Sequence, residues 1–371
     1  MTAQINYNKF VLINQMKTNL KQLSEEELTG LVEKLGERPY RAKQIISWLY
    51  KKHALGFDDM TDLSIGLRDK LKKISYISNL RTLQQQASKD GTRKFLFELE
   101  DGSTIESVLI PNNKGEDQYT LCISSQVGCA MGCVFCVTGR MGLKRNLKAH
   151  EIADQVISVN RLIDQHRGKA DHRRSITNIV YMGMGEPFNN FNEVLRSLEI
   201  LMHLAGFAKR KITVSTSGIV PKITEFGQKA FGVNLAISLN ASSDETRDMI
   251  MPVNKKYPLD KLMTACRQFR LAPNRRITFE YVMLGGINDT REDALRVIQL
   301  LKGIRGKVNL IPYNPAGACK HRKLPELKAP SDSAVLKFQE ILHHARITTI
   351  IRKSKGADIS AACGQLKAGY E

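Results

Sequence analysis

From Tyr119 onward, apolar strand-like runs alternate with amphipathic helical runs, and this alternation predicts an α/β fold. The architecture expected is a partial (β/α)6 barrel, preceded by a small N-terminal helical domain and a β-hairpin extension. Two further observations point the same way. Glycine-rich or polar turns follow the carboxyl ends of the strand candidates, and the densest cysteine motif directly follows the first strand. Ligands of parallel α/β sheets gather at those strand ends, so the order of elements and the placement of motifs agree.

Residues 1–85 read as a helical domain whose basic residues suit either a solvated face or a small RNA-grasping module. Ser24-Glu-Glu-Glu27 is a capping box that opens a helix with Leu28, Leu31, Val32 and Leu35 on one face. The segment after Pro39 and the run Leu63 to Leu71 repeat the pattern, with Arg38, Arg41, Lys43, Lys51, Lys52 and His53 on their surfaces. Residues 86–118 form the extension: 93–99 and 104–110 flank an Asp101-Gly102 turn, and a polar loop follows from Pro111. The barrel spans 119–350, with strands at 119–125, 176–182, 211–216, 233–239, 276–283 and 307–311. Helical patterns lie near 149–165, 191–206, 219–230, 258–271, 290–303 and 332–345. Residues 351–371 are rich in small side chains and read as a mobile loop carrying Cys363.

Composition narrows the partners. Lys+Arg number 56 against 37 Asp+Glu, a formal charge of +19 that favours a polyanion, nucleic acid first. The N-terminus lacks a signal-peptide layout and no apolar run reaches spanning length, so a cytoplasmic protein without membrane contact is expected.

The run Gly128-Cys-Ala-Met-Gly-Cys-Val-Phe-Cys136 has the spacing C-x3-C-x2-C. Three thiolates on one short loop can hold three irons of a cubane cluster and leave the fourth open to a small molecule. Structural zinc asks for four ligands, usually in pairs, whereas Cys122, Cys266, Cys319 and Cys363 stand alone. An odd cysteine count in a chain of this size argues against a disulfide framework. Cys129, Cys133 and Cys136 are therefore the expected cluster ligands.

Gly183-Met-Gly-Glu-Pro187 follows the second strand, where glycines allow close backbone approach and Glu186 can accept from an amine. Ser215 ends the third strand, Ser238-Leu-Asn240 the fourth, and Asn314 follows the sixth. Polar residues at successive strand ends suit a ligand rich in hydroxyl, carboxylate and adenine edges, although Ser215 and Asn240 also suit helix N-caps. By itself Cys122, on an apolar strand, reads as a small core residue.

These motifs resemble those of the RlmN/Cfr family of radical S-adenosylmethionine (radical SAM) RNA methyltransferases, and the likeness runs along nearly the whole chain. It is carried by Glu37-Arg-Pro-Tyr-Arg-Ala-Lys-Gln44, Ser124-Ser-Gln-Val-Gly-Cys129, Arg145-Asn-Leu147, Tyr181-Met-Gly-Met-Gly-Glu-Pro187, Ser215-Thr-Ser-Gly218, Asn309-Leu-Ile-Pro312 and Asp358-Ile-Ser-Ala-Ala-Cys-Gly-Gln-Leu366. The resemblance implies a radical SAM barrel with one [4Fe-4S] cluster per chain, held by three cysteines plus SAM, and two SAM per turnover. It implies methylation of adenosine C2 in 23S rRNA and beside the anticodon of tRNA. C2 is an electron-poor carbon that cannot attack a methylsulfonium, so radical addition is required.

In the family's scheme Cys363 is methylated and then loses a hydrogen to a SAM-derived radical. The resulting carbon radical adds to C2, Glu106 serves as general base, and Cys122 resolves the adduct through a transient disulfide with Cys363. Gly185, Glu186, Ser215, Ser238, Leu239, Asn240 and Asn314 match cofactor-binding positions. Asn240 stands where many relatives carry histidine. An electron donor such as flavodoxin and a monomeric state are expected. The alternative is Cfr-type methylation at C8, against which the N-terminal segment and Asn309-Leu-Ile-Pro-Tyr-Asn look more like the C2 enzymes.

Overall fold

The computed structural model describes residues 17–112, 118–167, 175–229, 232–315 and 326–369. Cys319 and most of the polar loop expected after Pro111 lie outside the described residues.

The helical segment folds as its capping chemistry dictates. Ser24 Oγ accepts from the Glu27 amide at 3.1 Å and Glu27 returns the bond to the Ser24 amide at 2.7 Å, opening the helix Glu25–Lys34. Helices Tyr40–Tyr50 and Ile65–Ile74 bury Ile45, Leu49, Leu67 and Leu71 against it, and the short strands β1 (Thr18–Asn19) and β2 (Ser75–Tyr76) pair in parallel. Strand β3 (Arg81–Ala87), whose start was read into the helical segment, is instead a sheet strand. With β4 (Arg93–Glu98) and β5 (Thr104–Pro111) it makes a three-stranded antiparallel meander, so the expected hairpin gains an outer strand. Its polar sequence, Arg-Thr-Leu-Gln-Gln-Gln-Ala, shows no alternation because both faces are largely wet.

The barrel strands are β6 (Tyr119–Cys122), β9 (Ile176–Tyr181), β10 (Ile212–Thr216), β11 (Asn234–Ser238), β12 (Ile277–Met283) and β13 (Gly306–Pro312), all parallel. Their order is sequential, as strand–helix–strand units require, and β5 joins β6 to the meander in one ten-stranded sheet. Strand β14 (Thr349–Ile351) extends the far edge parallel to β13, a seventh barrel strand that three residues were too few to announce. Between β6 and β9 a second, two-stranded sheet pairs β7 (Gln126–Cys129) with β8 (Gly142–Asn146) and carries the cysteine loop. No alternation announces it, because β7 is hidden inside the cysteine motif. Helices 149–167, 191–199, 220–228, 259–268, 291–301 and 332–344 wrap the barrel near the expected bounds. The helix at 191–199 passes into a π-helical turn over 200–204, and 244–250 is a further helix not foreseen.

Candidate active site

The backbone positions the site before any side chain does. Gly128 has φ +76°, and a Cβ there would run into the Gly142 carbonyl, so only glycine lets β8 cross β7 at this point. Beneath the cysteine loop a small apolar cluster of Val134, Ala241, Ile250, Met251, Leu284, Tyr313 and Leu327 supports its floor. Asn190 holds the carbonyls of Ser125 and Leu147 at 2.8 and 2.7 Å, and Gln155 holds both backbone groups of Ser124. The motif thus sits on a hydrogen-bonded base rather than a free loop.

An inner cavity of about 160 Å³ opens at the carboxyl ends of the strands. It is lined by Cys129, Cys133 and Cys136, by Gly185 and Glu186, and by Ser215, Ser238 and Asn240. Most of the expected site residues therefore meet in one place. Leu239 is buried with its carbonyl bonded to Arg247, and does not line the cavity. Asn314 lines the neighbouring outer cleft instead. Gly185, at φ +99°, packs on Gln126 so closely that a Cβ would lie 2.6 Å from that residue's Cβ. Glu186 is buried, and its two oxygens accept from the amides of Phe188 at 3.0 Å and Ser217 at 2.7 Å. Burial pushes its carboxyl above the usual range.

The three motif thiols fit a cluster by donor chemistry. Burial pushes the Cys129 thiol up to about 12, and Cys133 is raised by burial and by the Cys136 and Cys129 sulfurs. Three thiols that raise one another need a strong cation before they release their protons together. Among the described residues, no three His, Cys, Asp or Glu side chains converge on a single ion position. A cubane spreads three thiolates over three irons, so it asks for no such convergence, whereas tetrahedral zinc does.

The segment after β14 corrects an expectation. Residues 356–369 are strapped down rather than mobile. Asp90 takes the Gly356 amide at 3.0 Å, Gly364 accepts from the Val137 amide at 2.7 Å, and Leu366 accepts from Thr138 Oγ1 at 2.7 Å. Glu106 completes the strap: it pairs with Lys94 at 3.1 Å and accepts the amides of Lys367 and Ala368 at 2.7 and 3.0 Å. Its partners lie far along the chain, which is why small-residue composition misled. Glu106 is buried in this network and lines neither the inner cavity nor the outer cleft.

Cys363 is exposed and lines both the inner cavity and the outer cleft, which holds about 930 Å³. The surrounding wall raises its thiol while the Arg352 guanidinium opposes the shift. Cys122 is buried, and desolvation, with the Cys363 sulfur nearby, pushes its thiol up to about 12. The two sulfurs interact electrostatically but both are free thiols, and no disulfide joins the described residues. The outer cleft carries Lys211, Arg352, Lys353 and Lys355. Arg145, in the matching segment Arg145-Asn-Leu147, is committed to Asp101 at 2.6 Å and Glu151 at 2.8 Å.

Three residues escaped the sequence reading. Ser217 lines the inner cavity with a buried hydroxyl beside Glu186, two residues on from Ser215. Arg247 is fully buried and donates to the carbonyls of Leu239, Ser217 and Ser238 and to Asn254, tying the loops after β10 and β11 together. Burial lowers its guanidinium to about 10. Its setting, Asp244-Glu-Thr-Arg-Asp248, is polar and gave no local signal of burial. The third, Glu280, is a carboxylate inside an otherwise apolar strand.

Comparison with known proteins matches residues 18–77 to the ribosomal RNA large subunit methyltransferase N-terminal domain and residues 123–301 to the radical SAM superfamily. The chain is 49% identical over 351 residues to the dual-specificity RNA methyltransferase RlmN of Geobacter sulfurreducens, covering 94% of this chain and 92% of that protein. It is 48% identical to the enzyme of the same name from Geotalea uraniireducens, covering 95% and 97%. The crystal structure of a radical SAM methyltransferase from Sphaerobacter thermophilus superposes with a TM-score of 0.85 at 41% identity, covering 95% of this chain and 99% of that one.

Proposed function

Because the chain belongs to the RlmN family of radical SAM RNA methyltransferases, we propose that it methylates C2 of adenosine in 23S rRNA and in tRNA, with Cys363 carrying the methyl group. The observation that carries this reading is the position of Cys363 on the wall common to the inner cavity and the outer cleft. A carrier sulfur must meet its methyl donor on one side and its acceptor base on the other.

When bound, the [4Fe-4S] cluster and SAM supply the one-electron chemistry that an electron-poor carbon requires. Cys129, Cys133 and Cys136 hold the cluster, and the Gly185-Glu186 turn with Ser215, Ser217, Ser238 and Asn240 orients SAM. Arg352 favours the thiolate of Cys363, the form that can accept a methyl. Cys122 resolves the RNA adduct by attacking Cys363 sulfur, and Glu106, once released from Lys94 and from the Lys367 and Ala368 amides, is the base that takes the C2 proton. Lys211, Lys353 and Lys355 receive phosphates along the outer cleft, into which an unstacked adenosine enters. The working protein is a cytoplasmic monomer served by a one-electron donor of the flavodoxin kind. Among the described residues no helix is long and apolar enough to cross a membrane.

Anaerobic turnover of reconstituted protein with SAM, a reductant and each RNA, read by mass spectrometry of digested nucleosides, tests the proposal. 2-Methyladenosine from both RNAs is expected, and 8-methyladenosine would overturn the C2 assignment. Anaerobically purified protein should be brown, and a Cys129/Cys133/Cys136→Ala triple variant colourless. Cys122→Ala should leave RNA covalently trapped on Cys363; free methylated RNA at the normal rate would remove Cys122 from the scheme.

A further inference from the structure

Glu280 sits on β12, and its side chain has only part of the company a buried carboxylate requires. It is 6% exposed, and Oε1 accepts from Asn309 Nδ2 at 3.0 Å. Oε2 is buried without any hydrogen-bond partner. Leaving such an atom unsatisfied costs stability, a cost that a donor arriving from outside the chain would remove. Glu280 lines the inner cavity, where Glu186 is the other acid and Arg352 the single basic residue among those described. Two acids against one base suit a ligand with net positive charge, as a sulfonium has.

Topology selects which end of that ligand Glu280 meets. The cysteine loop and Glu186 follow β6 and β9, while Glu280 lies on β12, beyond β10 and β11 in the sheet. It is in register with Ser238 on one side and Asn309 on the other, and its carbonyl accepts from the amides of Leu239 and Asn240 at 3.0 and 3.3 Å. A ligand anchored by its methionine end at the cysteine loop therefore presents its adenosyl end here. Glu280 is absent from the lining of the outer cleft, so a base arriving with RNA is not what it faces. A carboxylate is a fitting acceptor for a ribose hydroxyl, the arrangement by which dinucleotide-binding folds hold their ribose.

We infer that Glu280 binds the ribose diol of SAM, an assignment that rests on the proposed reading of the inner cavity as the SAM site. Ser238 is its neighbour on β11, and Asn309 holds the carboxylate in place from β13.

The test is equilibrium binding to the cluster-loaded protein, without RNA or turnover, of SAM and its 2'-deoxy and 3'-deoxy ribose analogues. Wild-type protein should lose roughly 10- to 100-fold in affinity for the analogue lacking the contacted hydroxyl, the range for one hydrogen bond to a charged group. Glu280→Gln should bind SAM weaker by a similar factor and discriminate poorly between SAM and that analogue. A Glu280→Gln variant that binds SAM like wild type, or binds weakly with full discrimination intact, overturns the assignment. Wild-type protein indifferent to both hydroxyls overturns it without any variant. Wild-type protein that binds no SAM overturns the SAM-site reading together with this inference.

Discussion

At Gly185 an added Cβ would meet Gln126 Cβ at 2.6 Å and its backbone nitrogen at 2.8 Å, in a conformation that L side chains rarely adopt. The next residue's amide is held by Gln126 Oε1 at 2.8 Å, so any displacement moves Glu186 as well. Gly185→Ala should cost about 2 kcal/mol or more in denaturant unfolding and weaken SAM binding with it. Unchanged SAM affinity would show that the turn does not position the cofactor. Arg247 acts on the same cavity from beneath. Its fork satisfies three carbonyls and Asn254, a pattern an ammonium cannot reproduce. Arg247→Lys should therefore destabilise by roughly 3 kcal/mol despite keeping the charge, measured by urea unfolding. Both residues are small entries in the sequence and large ones in the geometry.

Two contacts between elements invite tests of their own. Glu106 and Lys94 are both buried, on adjacent strands, and Glu106 also pins the strap at Lys367 and Ala368. Glu106→Ala leaves an uncompensated buried ammonium and should cost about 3–5 kcal/mol. A Glu106→Gln, Lys94→Met double variant should be far less affected, and faster hydrogen exchange around 364–368 in the single variant would mark release of the strap. The seam between β1 and the helix 149–167 has a pH-sensitive member. His150 is buried, meets Asn19 Nδ2 at 3.5 Å, and burial lowers its pKa from 6.5 to about 4. Between those values the unfolded chain binds a proton that the native chain refuses, so stability rises with pH there. The contribution is complete above 6.5 and is lost as pH falls towards 4, on the order of 3 kcal/mol. His150→Gln should flatten that slope relative to wild type in thermal unfolding scans.

For the whole molecule, the formal charge of +19 becomes a directed property only where lysines share a surface. Lys211, from the start of β10, meets Lys353 and Lys355, from beyond β14, across the outer cleft. Counterion release makes RNA affinity fall linearly in log–log salt plots, with a slope of about 0.7 per phosphate contact for single strands. Lys353→Ala and Lys355→Ala should each shallow that slope by roughly one contact, while SAM binding stays at the wild-type level. An unchanged slope would place the RNA elsewhere on the surface.

The strand–helix alternation, the capping box at Ser24 and the C-x3-C-x2-C loop were legible because each is local: period, cap and ligand spacing are written in neighbouring residues. The proposed cluster ligands and the Gly185-Glu186 turn were read from those patterns, and the roles proposed for Cys363 and Cys122 from the resemblance alone. What the chain's order could not reveal depends on residues that meet only after folding. Asn314 and Leu239 follow strand ends as Ser238 does, yet one opens into the outer cleft and the other into the core. The β7–β8 sheet pairs residues across the cysteine loop, and the strap over 356–369 takes its partners from β4, β5 and the loop before β4. Nothing in the order of residues gives Glu280 a role; the cavity that it lines gives its free oxygen a direction. Sequence by itself determined the elements and the chemistry they carry; packing decided which of those groups face one cavity, because burial and distance are properties of the folded chain.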